Sequence, residues 1–294
     1  MSDNTPHRAL SLAWRETAAD CRIWVRGAGE LGSACAWVLS RAGFPVVLSE
    51  LPRPLAIRRR VCFSEALYET RARVEALSAS LCANVDDAER LLREPGADLP
   101  ILCDAHESAR ALAPRILVDA RMLKQELPDQ RSLASLVIGL GPGFSAGANC
   151  HRAIETMRGH TLGRVLDEGA PLPDTGIPGR LGGESSRRVL HAPLAGTVYW
   201  TCELGDRVHE GQTLGQLDGQ PLLSPLSGQV RGLLRHGTRV EAGCKLADID
   251  PRDSGVNPDL ISDKALCVAR GTLEAVMCWL THASPQSNSG IVAP

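Results

Sequence analysis

The sequence is poor in aromatic residues and in lysine. Aromatic side chains make up 3% of the 294 residues, and only three of the 32 basic residues are lysines (Lys124, Lys245 and Lys264). So few rings argue against a stacking surface for single-stranded nucleic acid. The net charge of −2 provides no overall attraction to nucleic acid or to an anionic membrane. We therefore expect neither as a partner, and lysine chemistry has only three candidate residues.

The sequence also lacks an apolar N-terminal segment, a long uncharged helix and paired cysteines. Residues 1–20 are polar and charged, unlike a secretory signal peptide. The longest uncharged run, residues 132–150, is interrupted by glycine and proline, so it is expected to form a strand and a loop rather than a membrane span. None of the ten cysteines belongs to a Cys-x-x-Cys pair. Free thiols in the core of a cytoplasmic protein are expected, rather than a zinc site.

The first half of the chain alternates short apolar runs with amphipathic ones. Helices are predicted at residues 30–42 and 86–93, and strands at residues 22–26, 45–49, 99–103, 115–119 and 136–140. Strands that alternate with helices are typical of a parallel sheet, hence of an α/β fold. A prior of about 150 residues per domain gives roughly two domains. The first is predicted to be a Rossmann-like nucleotide-binding domain over residues 21–168.

The second half of the chain differs in composition from the first and contains an internal repeat. Residues 169–188 are rich in proline and glycine and are expected to form a linker. Beyond it, Pro193-Leu194-Ala195-Gly196 recurs 32 residues later as Pro225-Leu226-Ser227-Gly228. Each copy is too short to bury a core alone, so the two copies are predicted to pack as one small β-sandwich, residues 189–251. Residues 252–282 return to helical periodicity and are expected to form a C-terminal helix, capped by Ser262, that docks on the α/β domain.

A dinucleotide-binding fingerprint follows the first predicted strand. Gly27, Gly29 and Gly32 provide a turn, a close approach to a pyrophosphate, and tight helix–strand packing, while Glu30 opens the helix. Glu50, which ends the next strand 21 residues after Gly29, stands where an acid would bind a ribose hydroxyl. The pattern predicts nucleotide binding; the alternative is a Rossmann-like fold with an empty or repurposed pocket.

Four arginines follow Glu50 closely, at positions 53, 58, 59 and 60. They could form an anion pocket beside the ribose, which would admit a second phosphate or a larger phosphorylated cofactor. A solvated charged surface is the alternative. Arg58 is the candidate ligand-binding residue, because residues 54–57 resemble a docked segment that leads into it.

A second glycine loop, residues 139–144, ends the last predicted strand. Gly141 and Gly143 could form a backbone nest for an anion, or only a tight turn. A helix-like stretch over residues 151–159 is expected to follow, which would place His151 and Glu155 on one face, near His160. Such a group can bind a metal or relay a proton, but a structural pair is more common, and no metal centre is predicted.

The 32-residue repeat resembles biotinyl and lipoyl carrier domains. Those domains attach their cofactor to a lysine on the hairpin between the copies, but here that hairpin, residues 215–222, contains none. Lys245 falls instead in the closing strand of the second copy. We therefore predict a barrel-sandwich hybrid that carries neither biotin nor lipoate and serves in packing or docking.

Six segments together resemble the accessory proteins of the selenium-dependent molybdenum hydroxylase system. The resemblance covers residues 22–281, and it rests on residues 26–29, 54–59, 63–66, 139–144, 154–160 and 248–252. It implies a role in the maturation of molybdenum hydroxylases such as xanthine dehydrogenase-like enzymes. It implies no particular catalytic mechanism.

Two functional hypotheses follow. In the first, the protein is a maturation factor that holds a nucleotide or dinucleotide, such as NAD(P) or molybdopterin dinucleotide. It would then dock on a molybdenum hydroxylase or on that enzyme's maturation proteins. In the second, it is an NAD(P)-dependent oxidoreductase acting on a small molecule, although the sequence contains no evident hydride-transfer constellation. The sequence leaves open whether the protein is catalytic and whether it forms a homo-oligomer.

Overall fold

The computed structural model describes residues 17–103, 107–176, 179, 181–252 and 256–283. The sequence predictions for residues 1–16, for positions 177, 178 and 180 of the linker, and for residues 253–255 therefore lie outside the described residues.

A nine-stranded sheet forms the centre of the described structure. Its spatial order is β3-β4-β5-β2-β1-β6-β7-β8-β9, and the seven strands from β4 to β8 run parallel. The antiparallel strands β3 and β9 form the two edges. In chain order the strands are β1 (Ile23–Arg26), β2 (Val46–Glu50), β3 (Arg71–Val74), β4 (Leu77–Cys82), β5 (Leu99–Cys103), β6 (Ile116–Asp119), β7 (Leu136–Leu140), β8 (Arg152–Ile154) and β9 (Val165–Leu166). The predicted α/β class is confirmed.

Helices cover both faces of this sheet, which explains why its central strands are apolar throughout. Alternate residues of β1 point to opposite faces. Ile23 packs in one core with helices α1 (Glu30–Arg41) and α4 (Asp263–Ala283), and the short helix α2 (Ala66–Glu69) adds Ala66 there. Trp24 packs in the other core, with helix α3 (Val85–Arg93). The α4 helix begins where predicted, since the Ser262 hydroxyl accepts a hydrogen bond from the Ala265 N–H at 3.2 Å. No helix in the described part of the chain is long and apolar enough to cross a bilayer.

The helix predicted over residues 151–159 is wrong. Residues 152–154 form strand β8, which pairs in parallel with β7. Gly141, Gly143 and Gly147 all adopt positive φ and fold the connection into a compact loop. This loop returns the chain alongside β7, so the backbone groups of β8 find partners in the sheet rather than in a helix.

Two four-stranded antiparallel sheets, which we call the β module (residues 189–250), follow the α/β part. One has the order β10-β17-β15-β12 and the other β14-β13-β11-β16. Short strand β12 pairs with β15, and β16 pairs with β11. Each sheet therefore contains strands from residues 189–223 and strands from residues 228–250. The strands are β10 (Val189–His191), β11 (Gly196–Trp200), β12 (Arg207–Val208), β13 (Thr213–Leu217), β14 (Gln220–Leu223), β15 (Gly228–Leu233), β16 (Arg239–Val240) and β17 (Lys245–Asp250). Residues 32 positions apart, such as Val198 and Val230, share one buried core.

Residues 57–59 fasten the β module to the α/β part. Ile57 is buried in the core of the β module. Its carbonyl oxygen accepts a hydrogen bond from the Leu233 N–H at 2.8 Å, and Arg59 Nε donates to the Leu233 carbonyl at 2.8 Å. Arg58 lies between these two anchors, so its backbone position is fixed from both sides.

Candidate functional site

The three fingerprint glycines have distinct structural roles. Gly27 has φ +96°, and a Cβ there would lie 3.1 Å from the backbone of Ala120. A Cβ at Gly32 would lie 1.8 Å from the Gly27 carbonyl oxygen, so this position must stay bare for the helix to pack. A Cβ at Gly29 would meet nothing within 4 Å. Gly29 therefore faces open space at the start of α1, where the first N–H groups of the helix are available to an anion.

A small cavity of about 470 Å³ lies beside this loop. Glu50 lines it, and both of its carboxylate oxygens accept backbone hydrogen bonds: from the Ala28 N–H at 2.7 Å and from the Leu51 N–H at 2.8 Å. Burial raises the pKa of the Glu50 carboxyl, and these two hydrogen bonds oppose the rise. Leu51 and Leu123 add an apolar edge to the same cavity. A nucleoside could lie here with Glu50 within reach of its ribose.

A large cavity of about 690 Å³ lies between the α/β part and the β module. It shares Gly29, Glu30 and Met122 with the small cavity. Three acidic side chains line it, Glu30, Asp174 and Asp248. Seven cationic side chains also line it, and they include all three lysines of the chain: Arg58, Lys124, Arg158, Arg188, Arg231, Lys245 and Lys264. The cavity is thus strongly positive in a protein whose net charge is −2.

Several of these cations already have anionic partners. The buried Asp248 carboxylate forms ion pairs with Arg188 and, at 3.1 Å, with Arg231. Lys124 Nζ lies 3.0 Å from an Asp174 oxygen. These pairs neutralise one another and make the walls of the cavity rigid.

Lys245 and Lys264 are different, because neither forms an ion pair with any described residue. Lys245 is exposed and Lys264 is half-buried, and both side chains line the cavity. Desolvation lowers the pKa of both ammonium groups. For Lys245, the nearby Asp248 carboxylate raises the pKa again and Arg188 lowers it. For Lys264, Arg158 lowers the pKa further and Glu30 opposes the shift.

Arg58 lines the large cavity and not the small one that contains Glu50. It is only 5% exposed, unlike a residue of a solvated charged surface, whereas Arg53 and Arg60 of the same run are exposed. Its Nη2 donates to the Leu260 carbonyl at 3.1 Å, but its Nε and Nη1 have no hydrogen-bond partner among the described residues. The closest anion is Glu30, whose Oε1 is 3.9 Å from Nη1 and is also unpartnered. Burial lowers the pKa of the guanidinium.

The second glycine loop has the contacts of a tight turn. The Gly141 N–H donates to the Ile154 carbonyl at 3.0 Å, so it is not free for an anion. A Cβ at Gly143 would lie 2.3 Å from the Gln125 carbonyl oxygen. Of this loop, only Pro142 lines the large cavity. Its glycines are therefore explained by close packing.

The weak metal candidates are occupied by backbone contacts or lie apart. His151 Nδ1 accepts a hydrogen bond from the Val137 N–H at 2.9 Å. The buried Glu155 carboxylate accepts from the Met157 N–H at 2.7 Å and from the Leu172 N–H at 2.8 Å. His160 is exposed. Within the described ranges, no group of three or more histidine, cysteine, aspartate or glutamate side chains could hold a metal ion.

None of the ten cysteines forms a disulfide, and one of them lines the large cavity. All ten lie in the described ranges, and five are buried. Cys62 borders the large cavity, where burial raises the pKa of its thiol well above 9.0. It is therefore a protonated thiol near neutral pH and a weak nucleophile.

Sequence reasoning identified Gly29, Glu30 and Arg58 but missed most of the large cavity. Arg188, Arg231 and Lys264 come from distant parts of the chain and belong to no local motif. The small number of lysines was the one sequence feature that could have pointed to this cavity, because all three lysines line it.

A curated protein of Escherichia coli resembles most of this chain. No family model matches the chain. The chain is 39% identical over 256 residues to the uncharacterized protein YqeB of Escherichia coli K12; the match covers 87% of this chain and 47% of that protein. The chain thus spans about half the length of this curated relative.

The solved structures give only weak likenesses. A succinylglutamate desuccinylase/aspartoacylase from Rhodobacter sphaeroides is 26% identical over 29% of each chain, with a TM-score of 0.21. TcdA (CsdL) is 17% identical over 44% of this chain and 52% of its own, with a TM-score of 0.25. An aspartoacylase family protein from Mesorhizobium loti is 12% identical over 80% of this chain and 86% of its own, with a TM-score of 0.27. Likenesses this weak carry no functional argument, so the function must be argued from the geometry of the site.

Proposed function

We propose that the protein is an accessory factor in the maturation of selenium-dependent molybdenum hydroxylases, and that it holds a dinucleotide cofactor between its α/β part and its β module. One observation carries this proposal. Five of the six segments that resemble the accessory family contribute to the lining of the large cavity, through Gly29, Arg58, Pro142, Arg158 and Asp248 among others. Segments this far apart in sequence have no local reason to meet, so a shared ligand site accounts for them.

The two cavities suggest how a dinucleotide would lie. Its pyrophosphate would sit at Gly29, where the backbone leaves open space and the first N–H groups of α1 are available. One nucleoside would occupy the small cavity beside Glu50. The other half would pass Glu30 and Met122, which both cavities share, into the large cavity. NAD(P) and molybdopterin dinucleotide both have the required form.

We also propose that the two parts are a Rossmann-like domain and a barrel-sandwich hybrid. The strand order β5-β2-β1-β6-β7 supports the first, because it corresponds to the order 3-2-1-4-5 of dinucleotide-binding folds. The strand pairing supports the second. Strand β12 follows β11 in the chain but pairs with β15 in the other sheet, and β16 follows β15 but pairs with β11. The β13–β14 hairpin turns at Asp218 and Gly219, where a carrier domain would display its lysine. The β module would then close the cavity and dock a molybdenum hydroxylase or one of its maturation proteins.

Calorimetry on the Gly29→Val variant tests the dinucleotide site. NAD, NADP and cytidine dinucleotides would be titrated into the wild-type protein and into the variant. A Cβ at Gly29 meets no protein atom within 4 Å, so the melting temperature of the variant should be close to that of the wild type. The branched side chain occupies the space that a pyrophosphate needs. Loss of binding is expected, and unchanged binding would place the site elsewhere. Native mass spectrometry of freshly purified protein would identify any retained nucleotide or pterin.

A second candidate function is an NAD(P)-dependent oxidoreductase that acts on a small molecule. The position of Glu50 at the end of β2, inside a nucleoside-sized cavity, favours it. Such an enzyme would bind NAD(P) in preference to cytidine dinucleotides, and it would oxidise NAD(P)H when its substrate is added. Preference for a cytidine or pterin ligand in the same titrations would favour the maturation factor.

A further inference from the structure

We infer that the large cavity contains a separate anion subsite, formed by Lys245, Lys264 and Arg231, that takes a phosphate-bearing group with at least two negative charges. The inference rests on the proposed function, since it names the chemistry of the ligand end that reaches beyond Gly29.

The distribution of charge within the cavity supports a ligand that brings its own anions. Asp248 is already shared by Arg188 and Arg231, and Asp174 is held by Lys124. No described carboxylate pairs with Lys245 or Lys264, so positive charge remains after the internal pairs are counted. The surplus does not follow from composition, because acidic residues outnumber basic ones in the whole chain, 34 to 32.

The two lysines are also held on rigid elements. Lys245 begins strand β17 and lies opposite His191 of β10 in the sheet. Lys264 is the second residue of α4, after the capping residue Ser262 and the first helical residue Asp263, at the positive end of the helix dipole. Both ammonium groups are therefore presented to the cavity before a ligand arrives, which reduces the entropy that binding would cost.

Leaving two ammonium groups partly desolvated and unpaired is unfavourable for the free protein. Their lowered pKa values express that cost. Groups that lower stability in this way are typical of ligand sites. Lysine is a usual phosphate ligand because it acts as a compact point charge. Arg231 faces Asp248 through Nη1 and Asp250 through Nε, so only its Nη2 edge is left to add a donor beside the two lysines. A phosphate-bearing group therefore fits this subsite.

Inorganic pyrophosphate is the probe for the test, which uses the full chain in the Gly29→Val background. That substitution removes the pyrophosphate position at α1, so remaining binding reports on the lysine subsite. In this background, Lys245→Met and Lys264→Met should each weaken pyrophosphate by about tenfold, the scale of one charge-assisted hydrogen bond. The matched control is Arg90→Met, because Arg90 is exposed on α3 and pairs only with Asp87. Its affinity should stay within about twofold.

Protection from acetylation provides a second readout that does not depend on variants. The chain has three lysines, and each can be followed separately by mass spectrometry. Pyrophosphate should slow the acetylation of Lys245 and Lys264 more than that of Lys124, which lines the same cavity but is paired with Asp174. Equal protection of all three lysines, or of none, would overturn the subsite.

The two proposals fail in different ways. If nucleotides do not bind but pyrophosphate still protects Lys245 and Lys264, the dinucleotide proposal is wrong and the subsite stands. If nucleotides bind while the lysine variants retain the full affinity for pyrophosphate, the subsite is wrong and the dinucleotide proposal stands.

Discussion

The Glu50 carboxylate accepts a hydrogen bond from the backbone N–H of Ala28 at 2.7 Å. This contact joins the end of β2 to the glycine loop, so the acid and the loop form one unit. The carboxyl is nevertheless buried enough for its pKa to be raised, which means that its ionised form is disfavoured in the free protein.

Glu50→Gln should therefore stabilise the protein relative to the wild type as pH rises. A carboxyl with a raised pKa contributes stability below its ordinary pKa of 4.5, and loses it as pH rises through the folded value. The glutamine oxygen can still accept from Ala28, and the side chain never ionises. The amide nitrogen cannot accept from Leu51, which lowers the stability of the variant by the same amount at every pH, so the test is the change with pH. Melting temperatures of the two proteins, measured between about pH 4 and pH 7, should diverge in favour of the variant. Parallel curves would contradict this.

Glu50→Gln should also change ligand preference. An acid at the end of β2 favours a free ribose 2′-hydroxyl and repels a 2′-phosphate. The variant should gain affinity for NADP relative to NAD in the same calorimetric titrations. An unchanged ratio would show that the ribose does not approach Glu50.

Arg58→Ala should weaken an anionic ligand by about 1.5–3 kcal/mol, the scale of a charge-assisted hydrogen bond. The reason is that Nε and Nη1 have no hydrogen-bond partner among the described residues, with the Glu30 carboxylate 3.9 Å from Nη1, and that Arg58 borders the large cavity. Arg53→Ala is the matched control, since Arg53 is exposed in the same run and lines neither cavity. Equal affinities in the two variants would assign Arg58 a purely structural role.

Lys245→Met should raise the stability of the free protein only slightly, because it removes a positive charge near Arg188 and Arg231 at a position where solvent screens the repulsion. The charged neighbours of Lys245 are Asp248, Arg188, Glu30 and Arg231. A lysine with a lowered pKa destabilises the fold while it is protonated, and this penalty disappears as pH rises through the folded pKa towards 10.5. Urea unfolding should thus show a larger gain at about pH 7 than at about pH 10. A loss of stability at neutral pH would mean that the ammonium has a partner.

Glu155→Ala should lower stability by roughly 2–4 kcal/mol, since it leaves two backbone N–H groups without their charged acceptor. These are the N–H groups of Met157 and Leu172. His160→Ala, at an exposed position of the same segment, should be close to neutral. Equal effects of the two substitutions in urea unfolding would contradict the structural role of Glu155.

Intact-protein mass spectrometry after expression with biotin and lipoate should show no covalent adduct. The hairpin turn at Asp218 and Gly219 offers no amine, and Lys245 lies at the start of a strand that faces the large cavity. An adduct on Lys245 would overturn both the prediction that the β module carries neither biotin nor lipoate and the proposed anion subsite.

The parts of this structure that carry a local signal could be predicted from sequence. Strands β5 and β7 coincide with the predicted residues, because a buried parallel strand is apolar along its whole length. The roles of Gly27, Gly29 and Gly32 depend on neighbouring backbone and could also be inferred. Strand β8 was missed, because its three residues take their conformation from β7 and from the compact glycine loop before it.

The large cavity could not be predicted, because long-range packing creates it. Lys245 arrives on β17, and Lys264 arrives on a helix that returns to cover the nine-stranded sheet. Arg58 faces the cavity only because Ile57 is inserted into the core of the β module. None of these contacts produces a recognisable pattern of residues along the sequence.

The exchange of β12 and β16 between the two sheets bears on the order in which the protein can fold during synthesis. While the ribosome makes residues 196–223, neither sheet is complete, because β11 lacks β16 and β12 lacks β15. Ile57 must also wait, since the core it enters does not yet exist. The strand that completes this core, β17, is the last strand of the β module to emerge, and it bears Lys245. The cationic cavity is therefore assembled only after β17 and the start of α4 have emerged, so a nascent chain that stops before Lys245 has no anion site.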